Sequence, residues 1–142
     1  MTRPLYETEL DQSKESSVMV EVCNVWHCDA RKLKKNFEMD YELLSKSGEL
    51  RAMCEVKCRN NCLKDYPTYM ISRNKIENGR KIGASRGVPA ILFVHFLDDI
   101  MFIDMSEEPD HYDLGGRTDR NDPMDIEMMA HYRPDQLTTL YP

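Results

Sequence analysis

Long apolar runs are missing from this chain. Nothing in its 142 residues approaches the ~20 consecutive apolar positions that a membrane-spanning helix needs. The N-terminus shows no succession of basic, apolar and small residues of the secretory type, so a cytoplasmic setting and no membrane partner are expected. Cysteine is present as an odd set of five (Cys23, Cys28, Cys54, Cys58, Cys62). Without an export pattern, reduced thiols are the expectation rather than a disulfide framework. There is no glycine-rich phosphate loop, no HExxH and no nucleophile elbow. P-loop, zincin and α/β-hydrolase chemistry are therefore not indicated. Internal repeats and low-complexity segments are absent as well.

The length fits one domain spanning 1–142, able to bury about two-thirds of its unfolded surface. A core over about 13–105 and an acidic C-terminal extension over 106–142 are expected. The net charge of −6 speaks against a nucleic-acid partner until its distribution is read. Residues 31–86 hold 14 Lys/Arg against 7 Asp/Glu, whereas the rest hold 5 against 18. A local basic segment of this kind is what sequence-independent phosphate binding relies on, although a solvated charged face has the same composition.

Periodicity supplies a coarse map. Val18, Met19, Val22, Cys23 and Trp26 form an apolar helical stripe, predicting a helix over 13–26 with Asp11 or Ser13 as its cap. Glu15 lies one turn before Val18 and shares that inward face, an expensive place for an acid without a partner. Residues 28–37 read as a basic connector. Two strands follow at about 40–46 and 50–58, turning at Ser47-Gly48. A second helix is predicted over 69–86, basic on one side, ended by Gly87 and broken by Pro89. Ala90 to Phe96 has the continuous apolar pattern of a strand buried on both faces. Asp98-Asp99 turns the chain into a further strand at 100–105, and 126–132 could form one short edge strand. The order is helix, strand, strand, helix, strand, strand.

The chemistry-bearing feature lies on the second of these strands. Leu50, Ala52, Cys54 and Val56 take one face, while Arg51, Met53, Glu55 and Lys57 take the other. Glu55 and Lys57 therefore stand side by side, and Asp40 opens the preceding strand. Two acids can hold a hard divalent cation such as Mg²⁺, and a lysine beside it can stabilise a phosphate or help deprotonate water.

With its helix–strand–strand–helix–strand order and the set Glu15, Asp40 and Glu55-Val56-Lys57, the chain resembles the PD-(D/E)xK nuclease superfamily. That superfamily has the restriction-endonuclease-like α/β fold, a mixed central sheet flanked by helices, and includes Holliday-junction resolvases. The resemblance spans about residues 13–105. It implies a Mg²⁺-dependent DNA endonuclease, with Mn²⁺ as a substitute, of a small phage type selective for branched DNA such as Holliday junctions. It also implies work in the host cytoplasm. Asp40 and Glu55 would be metal ligands, with the Val56 carbonyl as a further oxygen. Lys57 would act on the attacking water and the phosphate, and Glu15 would be the helix acid, preferred over Glu7 and Glu9. The family's usual proline before the first acid is replaced by Met39.

The segment YPTYMISRNK resembles the helix after the acid-x-lysine strand of small phage members. This implies that Tyr69, Ser72 and Lys75 face the site along one helix, with Arg73, Arg80 and Lys81 positioning the DNA backbone. GGRTDRNDPMDIE resembles the C-terminal part of such proteins, where Arg117 and Arg120 either reach the phosphate or pair with Asp113, Asp119 or Asp122. Symmetric cutting of two strands would call for a homodimer. Two alternatives stand beside the enzyme. One is a nuclease fold kept as a nucleic-acid-binding or protein-interaction module. The other is a small zinc-stabilised binding protein using His27, Cys28, Cys58 and Cys62. His95 and His131 read as packed or surface residues, His111 says little, and Met101, Met128 and Met129 read as core filler.

Overall fold

Alternation over 50–58 decides the centre of the molecule, because both faces of that strand are covered. The computed structural model describes residues 9–35, 37–116 and 126–142. Its helices are α1 (Glu9–Trp26) and α2 (Arg73–Arg86). The strands are β1 (Asp29–Lys32), β2 (Tyr41–Leu44), β3 (Leu50–Cys58), β4 (Tyr69–Ser72), β5 (Ala90–His95), β6 (Ile100–Asp104), β7 (His111–Gly116), β8 (Ile126–Tyr132) and β9 (Thr138–Thr139). Six of them form a mixed sheet in the order β1-β2-β3-β5-β6-β9. The β3–β5 pair is parallel and the other neighbours are antiparallel. The remaining three form a second sheet in the order β4-β8-β7.

Two apolar clusters divide along the main sheet. Val18, Met19 and Val22 of α1 pack with Tyr41, Ala52, Cys54, Val56 and Phe93. On the opposite face Met53, Leu92 and Val94 meet Ile76 of α2 and Tyr69, Ile71, Ala130 and Tyr132 of the second sheet. Trp26 closes the first cluster edge-on against Phe102, with ring centroids 4.9 Å apart. Gly48 takes φ +91° in the β2–β3 turn, and Gly87 takes φ +69° at the end of α2. There Val88 N–H reaches Gly83 O at 3.0 Å, the backbone closure that a left-handed glycine permits.

Four expectations are corrected. Tyr69–Ser72 is a strand and not the first turn of the second helix. Pro67 precedes it, Tyr69 and Ile71 point into the core, Met70 points out, and the helix begins only at Arg73. The basic connector contains the edge strand β1, whose Ala30 and Lys32 pair with Leu43 and Tyr41. β8 is the middle of the second sheet, hydrogen-bonded on both sides, and no edge. The element order is correspondingly richer than the six elements expected, because short exposed strands lack a strong apolar signal. β8, the 3-10 turn Pro134–Gln136 and β9 also place Ala130, Tyr132, Leu137 and Leu140 in the buried clusters.

Glu42 explains how the β1 edge and the end of α2 are held. Its buried carboxylate faces Arg31 directly across the β1–β2 pair. Arg31 Nε donates to Oε1 at 2.7 Å and Arg86 donates to Oε2 at 3.0 Å. Both arginines remain partly open to water, so solvent screening tempers the pair. Glu42→Gln leaves two guanidinium groups without their anion. We expect a loss of about 1–3 kcal/mol, read as a lower urea midpoint at unchanged m-value.

Candidate active site

Glu55 sits in the middle of β3, opposite Leu92 of β5, and projects from the α2 face of the sheet. Burial leaves its side chain only 3% exposed. Two amines converge on one of its oxygens. Lys57 Nζ lies 3.5 Å and Lys75 Nζ 3.4 Å from Oε2. Lys57 arrives by the two-residue repeat of the strand, Lys75 from the first turn of α2. The other oxygen, Oε1, is buried and has no hydrogen-bond partner. Desolvation first, and the nearby Asp40 charge second, push the Glu55 carboxyl up to about 7, while Lys75 and Lys57 oppose the rise.

Asp40 is pinned to the same stretch of β3. Its N–H donates to Cys54 O and its Oδ2 accepts the Val56 N–H, both at 2.8 Å. A carboxylate anchored this way cannot swing freely. The arrangement therefore joins two carboxylates, one buried oxygen short of a partner and two half-open amines. An oxygen-ligand cation such as Mg²⁺ fits this donor set: it would supply the missing partner of Glu55 Oε1 and relieve the repulsion between the acids.

The other expected site residues are placed differently. Glu15 Oε1 meets Lys32 Nζ at 3.4 Å on the α1 side of the sheet, whereas Glu55 projects from the α2 side. Tyr69 is buried on β4, and its hydroxyl accepts from Arg59 at 3.2 Å. Burial holds that hydroxyl well above the usual tyrosine range, so it remains protonated. Ser72 is half-buried at the residue that precedes α2. Arg73 pairs with Glu77 at 3.2 Å and lies over the Tyr112 ring. Arg80 spends its guanidinium on the Met105 and Glu107 carbonyls at 2.7 and 3.2 Å. Lys81 is exposed. Of these, Lys75 alone is shown touching Glu55. Arg117 and Arg120 lie outside the described residues.

The zinc set does not assemble. Cys28 is hydrogen-bonded to Cys23 of α1, whereas Cys62 lies near Asp65 and Asp98. All five cysteines are free thiols. Sequence reasoning also missed Arg59, which stands over the Tyr69 ring at one wall of a cleft of about 480 Å³. Tyr66, Asn61, Met70 and His131 also line that cleft. Arg59 lies two positions beyond Lys57 on the same alternation, a signal that was available. The clustering of His111, Asp113 and His131 had none, because it depends on which strand pairs with which.

The mixed sheet, its flanking helices and the acid-x-lysine strand define a restriction-endonuclease-like protein. A family model described as "Phage putative PDDEXK endonuclease" matches residues 1–140, and the chain belongs to this endonuclease family. In fold it is similar to the Holliday junction resolvase Hjc of Archaeoglobus fulgidus, with a TM-score of 0.53 and 15% identity. That likeness covers 67% of this chain and 77% of the resolvase. No curated protein matches in sequence. Among the described residues, no helix is long and apolar enough to cross a membrane.

The Glu55 environment carries a pH signature. In metal-free protein the folded carboxyl, near 7, keeps a proton that the unfolded chain, near 4.5, releases. Its contribution is thus fully present below pH 4.5 and is lost as pH rises through about 7. Glu55→Gln removes that loss. In EDTA the variant should melt higher than wild type at pH 8, with the difference shrinking towards pH 5. Thermal melts at the two pH values check the sign.

Proposed function

We propose that the chain is a Mg²⁺-dependent DNA endonuclease, with Mn²⁺ as a substitute, that cuts branched DNA such as Holliday junctions. The observation that carries this is the buried Glu55 carboxylate, with one unpartnered oxygen, beside Asp40 and under Lys57 and Lys75. Asp40 and Glu55 would hold the cation, with the Val56 carbonyl as a further oxygen. A bound Mg²⁺ polarises the phosphate and makes a coordinated water more acidic.

The chain's own groups do the rest. Asp40 and Glu55 present carboxylate oxygens where the cation is needed, Glu55 giving up its proton in exchange for the bound ion. Lys57 Nζ, partly open to solvent, orients the attacking water and accompanies the charge that builds on the phosphate oxygens. Lys75 shares Glu55 Oε2 with it and can shift towards an incoming phosphodiester. Water adds to phosphorus, one P–O ester bond breaks, and the departing oxygen takes a proton. Glu15 orders Lys32 on the α1 side of the same β1–β2 edge that carries Asp40. Arg73 and Lys81, both exposed on α2, can meet the DNA backbone, with Lys75 nearest the chemistry. Tyr69, Ser72 and Arg80 support the same helix and strand from behind.

The endonuclease family supports the reaction class, and the resolvase-like fold supports branched DNA as substrate. A homodimer acting in a host cytoplasm belongs to the same proposal, since symmetric incision needs two sites.

A four-way junction and a linear duplex of the same sequence, incubated with full-length protein and Mg²⁺, provide the test. Wild type should nick the junction preferentially, and EDTA should stop it. Glu55→Gln and Lys57→Ala should each lower the single-turnover rate about 10²-fold or more while still retarding the junction in gels. Lys75→Ala should lose about 10-fold. Variants that cut like wild type would defeat the site assignment, and wild type that binds without cutting would favour a non-catalytic module.

A further inference from the structure

The second sheet carries a group of metal-ligating side chains that the nuclease centre does not use. His111 and His131 are directly opposed across the β7–β8 pair, with rings stacked at 4.3 Å between centroids. Asp113 follows His111 by two residues on β7, so the strand alternation brings it to the same face. Their ligand atoms lie within 4.8 Å of one another. His131 Nε2 is 2.6 Å from Asp113 Oδ1, and His111 Nε2 is 4.0 Å from Asp113 Oδ2.

What distinguishes this group from a chance surface cluster is how the imidazoles are oriented. Each spends Nδ1 on an outer partner. His111 Nδ1 meets Asp110 Oδ2 at 2.8 Å, and His131 Nδ1 meets Thr68 Oγ1 at 2.7 Å. Both Nε2 atoms are thereby turned towards the Asp113 carboxylate. Asp110 is itself held by Arg133 at 2.6 Å. Metal-binding histidines are typically held through the second ring nitrogen in this way, by a carboxylate or another fixed acceptor. We propose that His111, Asp113 and His131 form a site for a divalent ion that favours imidazole, of the Zn²⁺ class, separate from the carboxylate centre at Asp40 and Glu55.

The donor sets explain the separation. Two imidazoles and one carboxylate suit Zn²⁺ and its neighbours and leave coordination positions open for water. Asp40 and Glu55 offer oxygens, which suit Mg²⁺. Binding replaces the proton shared between His131 and Asp113. It also tilts the two rings out of their stack, so that both lone pairs meet one ion.

The location gives such an ion a structural consequence. Further along the β7–β8 hairpin Leu114, Ile126 and Met128 stay exposed, so little burial secures that end. An ion at the His111–His131 pair ties β7 to β8, and through Thr68 to the segment leading into β4. This inference stands independently of the nuclease assignment.

Isothermal titration of EDTA-treated, dialysed full-length protein with ZnCl₂ tests it, together with the visible d–d spectrum of bound Co²⁺. Wild type should take one equivalent in the presence of excess Mg²⁺. At a hundredfold excess over Kd its Tm should rise by about 5–10 °C. His111→Ala and Asp113→Asn should each weaken binding at least about 10-fold. His111 is exposed, so an unchanged metal-free melt of His111→Ala shows that its fold is intact. Glu55→Gln and Cys62→Ser should bind as wild type does. Absence of zinc binding by wild type would overturn the proposal. So would undiminished binding by the His111→Ala/His131→Ala double variant, or loss of binding in Glu55→Gln.

Discussion

Burying the Glu55 carboxylate inside the sheet is the constraint on which the rest of the site depends. An isolated buried carboxylate is costly, and here one oxygen faces two amines while the other faces none. Pairing with β2 and β5 puts β3 inside the sheet with Glu55 beside Leu92, and α2 together with the second sheet covers the face from which Glu55 projects. Lys57 follows from the strand repeat. Lys75 requires that α2 begin at Arg73, immediately after a strand, so that its first turn reaches back over β3. The result is a strained electrostatic arrangement that a cation would relieve, as expected where function is set against stability.

The sheet separates two tasks. Its α1 face is an apolar platform of Cys54, Val56 and Phe93, covered by Val18 and Val22 of α1. Its α2 face carries the charged residues Glu42, Glu55 and Lys57 among Met53, Leu92 and Val94. On that face the two buried carboxylates have different roles. Glu42 is saturated by Arg31 and Arg86, and it holds the edge strand and the helix end in place. Glu55 is left unsaturated. Neighbouring acids in one layer thus differ in what they can bind because of which cations the fold brings to them.

The C-terminal third belongs to the same architecture. Ala130 and Tyr132 of β8, and Leu137 and Leu140 on either side of β9, enter the buried clusters, and β4 gains its place by pairing with β8. Without β8, Tyr69–Ser72 would have no sheet to join, and α2 would lose the anchor that sets where it starts. The site on β3 is therefore supported by a strand more than fifty residues further along the chain.

Local pattern by itself determined a good part of this. The i, i+4 stripe from Val18 to Trp26 marked α1, Gly48 and Gly87 marked turns that need positive φ, and the alternation over 50–58 put Glu55 beside Lys57. Each rests on short-range sterics or periodicity, which neighbouring residues suffice to encode. The acid-x-lysine strand and the family were legible for the same reason. Tertiary structure alone decided that Tyr69–Ser72 is a strand, that β8 lies inside a sheet, and that Lys75 and not Tyr69 touches Glu55. It also decided that His111 opposes His131. Those outcomes depend on pairing between segments far apart in sequence, and strand pairing leaves no local signature when the strands are short and half-exposed.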